Sequence, residues 1–71
     1  MMTRAEHIRW CKERALEYIE QGNARDAYAS MVSDMHKHPE TVEVMQMMAP
    51  LGMVKLQKGN LEGVRSWIEK F

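Results

Sequence analysis

The sequence has one cysteine, two prolines, four glycines and no surplus of charge of either sign. A lone Cys11 forbids an internal disulfide, and a secreted domain this small without such staples is unusual, so the chain reads as a resident of a reducing cytoplasm. Ten Lys and Arg stand against ten Asp and Glu, a formal net charge of zero. That balance removes the electrostatic footprint of a nucleic-acid binder, and no nucleic-acid partner is expected. It also does little to hold copies apart, which leaves a homodimer open. Long apolar runs are missing too. The opening residues lack the apolar core of a signal peptide, and the stretch from Val44 to Val54 is interrupted by Gln46 and far too short to span a bilayer, so a soluble protein with no membrane partner is expected.

What remains is a composition of 45% apolar and 28% charged residues, that of a globular helical protein. At 71 residues the chain is read as one domain, 1–71. A chain of this size buries only ~60% of the surface it exposes when unfolded, so its stability margin is thin.

Helix starts and stops are written plainly. Thr3 and Glu6 have the spacing of a capping box, which opens a first helix. Ile8, Cys11, Ala15, Tyr18 and Ile19 recur at three- and four-residue steps, a stripe that predicts the buried face, with Arg4, Lys12, Glu13, Glu17 and Glu20 in water. Gly22 stops this helix and Asn23 caps the next. The second helix carries Ala24, Ala27, Tyr28, Met31, Val32 and Met35 and is expected to run to about Lys37. Pro39 makes His38 a boundary and then opens a third helix, with Glu40 at the positive end of its dipole. Pro50 falls inside that helix and is expected to kink or split it, giving one segment to about Met48 and another from Ala49 or Pro50 to Lys58. Gly59-Asn60 repeats the stop-and-cap device, and a fourth helix presents Leu61, Val64, Trp67, Ile68 and Phe71.

Setting Gln21-Gly22-Asn23 against Lys58-Gly59-Asn60 aligns Ala24, Ala27 and Met31 with Leu61, Val64 and Ile68, an echo 37 residues apart. The expected fold is therefore all-α, with four short helices forming two antiparallel hairpins. The order Tyr18, Gly22, Ala27, Pro39, with Ala15 as a further small position, resembles the tetratricopeptide repeat, in which small residues let two helices approach. Arg14, Asp34 and Pro50 depart from that pattern, and the spacing of 37 exceeds the usual period of about 34.

A second resemblance covers roughly residues 3–41. Thr3-Arg4-Ala5-Glu6-His7-Ile8-Arg9-Trp10-Cys11-Lys12, with Arg14-Ala15-Leu16-Glu17-Tyr18, Ser33-Asp34 and His38-Pro39-Glu40-Thr41, resembles a group of small uncharacterised bacteriophage proteins. The resemblance implies a phage or prophage origin and the cytoplasm of a bacterial host as workplace. It implies no activity.

Three chemistries compete for the remaining residues. His7 and Cys11, four apart on one helix face, have a spacing that suits a soft metal ion, and His36 and His38 would complete four ligands. The plainer reading buries Cys11 and leaves the histidines on free carbonyls at a helix end. His7 and Cys11 also form a base and nucleophile pair on paper. No third orienting residue or glycine-rich oxyanion loop accompanies them, so no enzyme and no cofactor are expected. Methionine offers a third chemistry. Eight methionines are present, and Met45, Met47, Met48 and Met53 crowd the third helix, whose apolar residues fall on more than one face. Such thioethers either adapt to a partner surface or fill an irregular core. Trp10, beside Arg9 and Arg14, is either an interface anchor or cover for Trp67 and Phe71.

The partner-binding set is accordingly Trp10, Arg14, Met45, Met47 and Met48. The expected function is a phage-encoded helical module that binds a host or phage protein. The alternatives are a self-assembling structural or virion-assembly protein and a small metal-binding module.

Overall fold

The computed structural model describes residues 3–71; Met1 and Met2, which begin the stretch lacking a signal-peptide core, lie outside them. Among the described residues there are four helices and no strand: α1 (Arg4–Glu20), α2 (Ala24–Met35), α3 (Pro39–Gln57) and α4 (Leu61–Glu69). The capping box that opens α1 is formed in both directions, Glu6 N–H to Thr3 Oγ1 and Thr3 N–H to Glu6 Oε1, each at 3.1 Å. The two Gly-Asn turns are the same device used twice. Gly22 and Gly59 take the left-handed conformation, with φ of 76° and 65°. Each glycine N–H bonds back to the helix, to Ile19 and Leu56, and each following asparagine N–H reaches Tyr18 and Lys55. This is a Schellman stop, which satisfies carbonyls the helix leaves free. Asn23 and Asn60 then accept from the N–H groups of Asp26 and Gly63 to cap the next helix.

The two hairpins pack across one core. Cys11, Ala15 and Ile19 of α1 meet Ala27, Met31 and Met35 of α2, Met45 of α3, and Val64, Trp67 and Ile68 of α4. Two positions differ from the sequence pattern. On α1 the innermost residue of the first turns is His7, with Ile8 only half-buried. Helix α2 ends at Met35, because His36 already serves as its C-cap. His38 is the boundary the proline demands: it is the N-cap of α3, and its Nδ1 accepts the Glu40 N–H at 3.1 Å.

Pro50 does not split α3, which continues through it as one helix. Proline has no N–H to give the carbonyl of Gln46, an exposed residue, and its ring crowds the preceding turn. Two aromatic side chains dock on the backbone just before it. Trp67 Nε1 donates to the Met48 carbonyl at 2.8 Å, and the Tyr28 hydroxyl donates to the Ala49 carbonyl at 3.0 Å. Both rings reach that backbone because Gly52 has no side chain; a Cβ there would lie 2.6 Å from Trp67 Cε2 and 2.8 Å from Tyr28 Cε1. Phe71 meets Trp67 edge-on at 5.1 Å, so Trp67 is covered by Tyr28 and Phe71. Lys12 ties α1 to the end of α4 by donating to the Glu69 carbonyl at 3.3 Å.

Candidate functional site

Two places concentrate chemistry. The first is a polar cluster where α1, the end of α2 and the start of α3 meet. Its centre is Asp34, a carboxylate only 2% exposed. It lies on the inward stripe of α2 with Ala27 and Met31, so burial is imposed by register. Arg14 Nε reaches one oxygen at 2.8 Å and Lys37 Nζ the other at 3.0 Å, with the Ser30 hydroxyl alongside the first at 3.4 Å. Burial alone would raise the Asp34 pKa, but the hydrogen bonds and charges of Lys37 and Arg14 outweigh it and hold the carboxyl below its ordinary value. The same bond raises the pKa of Arg14.

Trp10 roofs this cluster. The Arg14 guanidinium lies 4.8 Å and the Lys37 ammonium 5.7 Å from its ring centroid, and the His7 ring stacks beside it at 5.9 Å. Trp10 and Arg14 are thus brought together, as their proximity in sequence implied, but around an internal carboxylate. Half-buried Trp10 is part of a brace, with only its remaining surface open to a partner.

The four proposed metal ligands are not assembled as a quartet. His7 Nε2 donates to the Asp34 carbonyl at 3.0 Å, which commits the nitrogen nearest Cys11 Sγ, 3.6 Å away. The His38 ring is 5.1 Å from His7, but its Nδ1 already accepts from Glu40. His36 turns back on its own helix, with Nδ1 on the Val32 carbonyl at 2.6 Å, the helix-end role foreseen for it. Among the described residues, no group of three His, Cys, Asp or Glu side chains is disposed to hold a metal ion. Burial, reinforced by the negative charge of Asp34, pushes the Cys11 thiol up to about 11. A soft metal and a nucleophilic step both require the thiolate that this environment disfavours. Cys11 is therefore expected to react with a disulfide reagent at pH 8 more than ~100-fold slower in the folded protein than in denaturant. A thiol titration with and without urea checks this, and comparable rates would contradict it.

The second place is the outer face of α3. Of the methionines assigned to a partner surface, Met45 is fully buried against the core, Met48 is half-buried beside Trp67, and Met47 is 78% exposed. The assignment is therefore corrected for Met45, which fills the core one turn after the buried Thr41. Two residues absent from the set join Met47: Leu51, 57% exposed, and Val54, 47% exposed. At steps of four and three they form one continuous apolar stripe. Beside it, between α3 and α4, a groove of about 340 Å³ is lined by Met48, Leu51, Val54, Lys55, Trp67 and Lys70. A further cleft of about 430 Å³ lies along α1, where Ile8, Leu16 and Phe71 form an apolar floor under Arg9, Lys12 and Glu13.

Compared with protein-family models, curated proteins and solved structures, the chain matches none. No described helix is long and apolar enough to cross a membrane.

Proposed function

We propose that this chain is a small protein-interaction module whose contact surface is the outer face of α3. The observation that carries this reading is the stripe Met47, Leu51, Val54, with Met47 78% exposed. In a domain with so little core to spare, three adjacent large apolar side chains left in water are costly unless something covers them. Methionine and leucine suit such a surface because they repack against varied shapes. The zero formal charge favours a protein over a nucleic acid as the occupant. The likeness of residues 3–41 to small bacteriophage proteins makes the module a phage product at work in the bacterial cytoplasm, contacting a host or phage protein. The twice-used Gly-Asn hairpin supports a scaffold of the tetratricopeptide kind, which holds α3 outward while the Asp34 cluster ties α1 and α2 behind it.

The test is site-specific photo-cross-linking in bacterial lysate, with the photoreactive residue at Leu51 or, as control, at exposed Glu17 on α1. Adducts are expected at Leu51, competed away by excess unlabelled chain, and not at Glu17. Equal labelling at both sites, or none at Leu51, would remove α3 as the contact surface.

A further inference from the structure

We infer that the start of α3 carries a proton-sensitive latch, in which His38 holds the first turn closed while its ring is neutral and releases it on protonation. The latch is independent of what the outer face of α3 contacts. The backbone partners of the three histidines carry the inference, because they dictate where each ring must hold a proton. His7 Nε2 faces the Asp34 carbonyl at 3.0 Å, and His36 Nδ1 faces the Val32 carbonyl at 2.6 Å. A carbonyl only accepts, so both nitrogens carry hydrogen, and a second proton on either ring leaves these bonds in place. His38 is the reverse. Its Nδ1 accepts the Glu40 N–H at 3.1 Å, which requires a lone pair on that nitrogen. An imidazolium has none to offer.

The bond matters because of where it sits. Pro39 opens α3 and has no N–H, so the Glu40 amide is the first donor that the helix leaves free. The Thr41 amide is served by the His38 carbonyl at 3.0 Å, and the His38 ring is the cap for Glu40. Protonation removes that acceptor and sets a positive charge at the positive end of the helix dipole. From α1, the His7 ring faces His38 at 5.1 Å, with Trp10 stacked on His7 and Arg14 over Trp10. From the end of α2, Lys37 adjoins His38 in the chain, and the carboxylate of Asp34 is already bonded by Arg14 and Lys37. On α3 itself, exposed Glu40 supplies a carboxylate too well solvated to replace the lost acceptor.

The opening stops at the next residue. Thr41 is fully buried, and its hydroxyl, which does not titrate, lies on the Met35 and His38 carbonyls. His36 responds with the opposite sign, since it keeps its donor and a positive charge suits the end of α2. Acid therefore preserves the end of α2 and frees the first turn of α3.

Solvent-exchange NMR of the whole chain at pH 7.5 and 5.0 tests the latch, with the protection of each amide taken against its intrinsic exchange rate at that pH. The protein supplies its own controls, because the Asp26 and Gly63 amides are capped by the side chains of Asn23 and Asn60, which do not titrate. Glu40 is expected to lose about 5-fold in protection at pH 5.0, the worth of one N-cap, while Asp26 and Gly63 change by less than about 2-fold. In His38→Asn, which keeps a cap and removes the titration, Glu40 is expected to behave like Gly63. Glu40 protection that holds at pH 5.0 in wild type, or that falls together with Asp26 and Gly63, overturns the inference. So does a loss at Glu40 that persists in His38→Asn. The wild-type comparison decides by itself should the variant fail to fold.

Discussion

Replacing Gly52 with alanine is expected to destabilise the protein by about 3 kcal/mol, although the same change in an exposed helix would stabilise it by about 1 kcal/mol. The sign is decided by space. The added Cβ would lie 2.6 and 2.8 Å from Cε2 and Cζ2 of Trp67 and 2.8 Å from Cε1 of Tyr28, distances that carbon atoms do not tolerate. The rings must retreat, and they carry the donors that serve the Met48 and Ala49 carbonyls before Pro50. Overpacking of this kind costs about 1–3 kcal/mol, and each lost hydrogen bond adds about 1 kcal/mol. A chain this short has a total stability of about 4–10 kcal/mol, so the melting temperature is expected to fall by roughly 15 °C. Urea unfolding followed by tryptophan fluorescence measures the loss. Placing the change in a Trp67→Phe background gives the Cβ room and should at least halve its cost, and a double-mutant cycle reads that coupling directly. A neutral or stabilising Gly52→Ala would mean that the rings do not lie on the α3 backbone as described.

The same contact explains where local reading of the sequence stops. Thr3/Glu6, Gly22-Asn23, Gly59-Asn60 and His38-Pro39 act within a few residues of themselves, and each produces the start or stop its chemistry dictates. Pro50 is different. Local rules say that it kinks or breaks a helix, yet α3 continues through it, with donors from α2 and α4, 22 positions before it and 17 after it, bonded to the two carbonyls that precede it. Nothing in the neighbourhood of Pro50 announces them. His7 is a milder case. Apolar periodicity favours Ile8 as the inward residue, yet register with Cys11, Ala15 and Ile19 points His7 inward, where the Asp34 carbonyl accepts from its ring.

The exposed apolar face of α3 is half legible for a related reason. Methionine enrichment points to α3 but does not by itself distinguish faces, so it puts fully buried Met45 in one set with exposed Met47. A break at Pro50 would also divide the stripe, with Met47 in one piece and Leu51 and Val54 in the other. Once the helix is continuous, the three align. Asp34 does not stand out in the sequence, because carboxylates are ordinarily solvated. The available signal was its place on the inward series of Ala27 and Met31, with Arg14 and Lys37 near enough in the hairpin to neutralise it.

That carboxylate gives the second large effect. Asp34→Asn retains the shape but removes the charge, and is expected to cost about 2 kcal/mol at pH 7, where hydrogen bonds to a charged group are worth about 1.5–3 kcal/mol. The loss is less than that of an isolated buried ion pair because Arg14 and Lys37, with side chains 47% and 58% exposed, can return to water. The effect is pH-dependent with a definite sign. Interaction with Lys37 and Arg14 holds the Asp34 carboxyl below its ordinary value even though burial opposes it. The unfolded chain therefore takes up this proton before the folded one does. The stabilisation is fully present above the unfolded carboxyl pKa, near 3.9, and is lost as pH falls through the lower folded value. Chemical-denaturation curves from pH 7 down to the acid transition should show wild type and Asp34→Asn converging only in the acid range. A gap that stays constant with pH would mean that the carboxylate's charge contributes nothing and that the variant's cost is one of shape. Because Asp34 joins Arg14 of α1 to Lys37 just beyond α2, convergence would locate acid weakening at the brace behind α3, with the outer stripe of Met47, Leu51 and Val54 unaltered in composition.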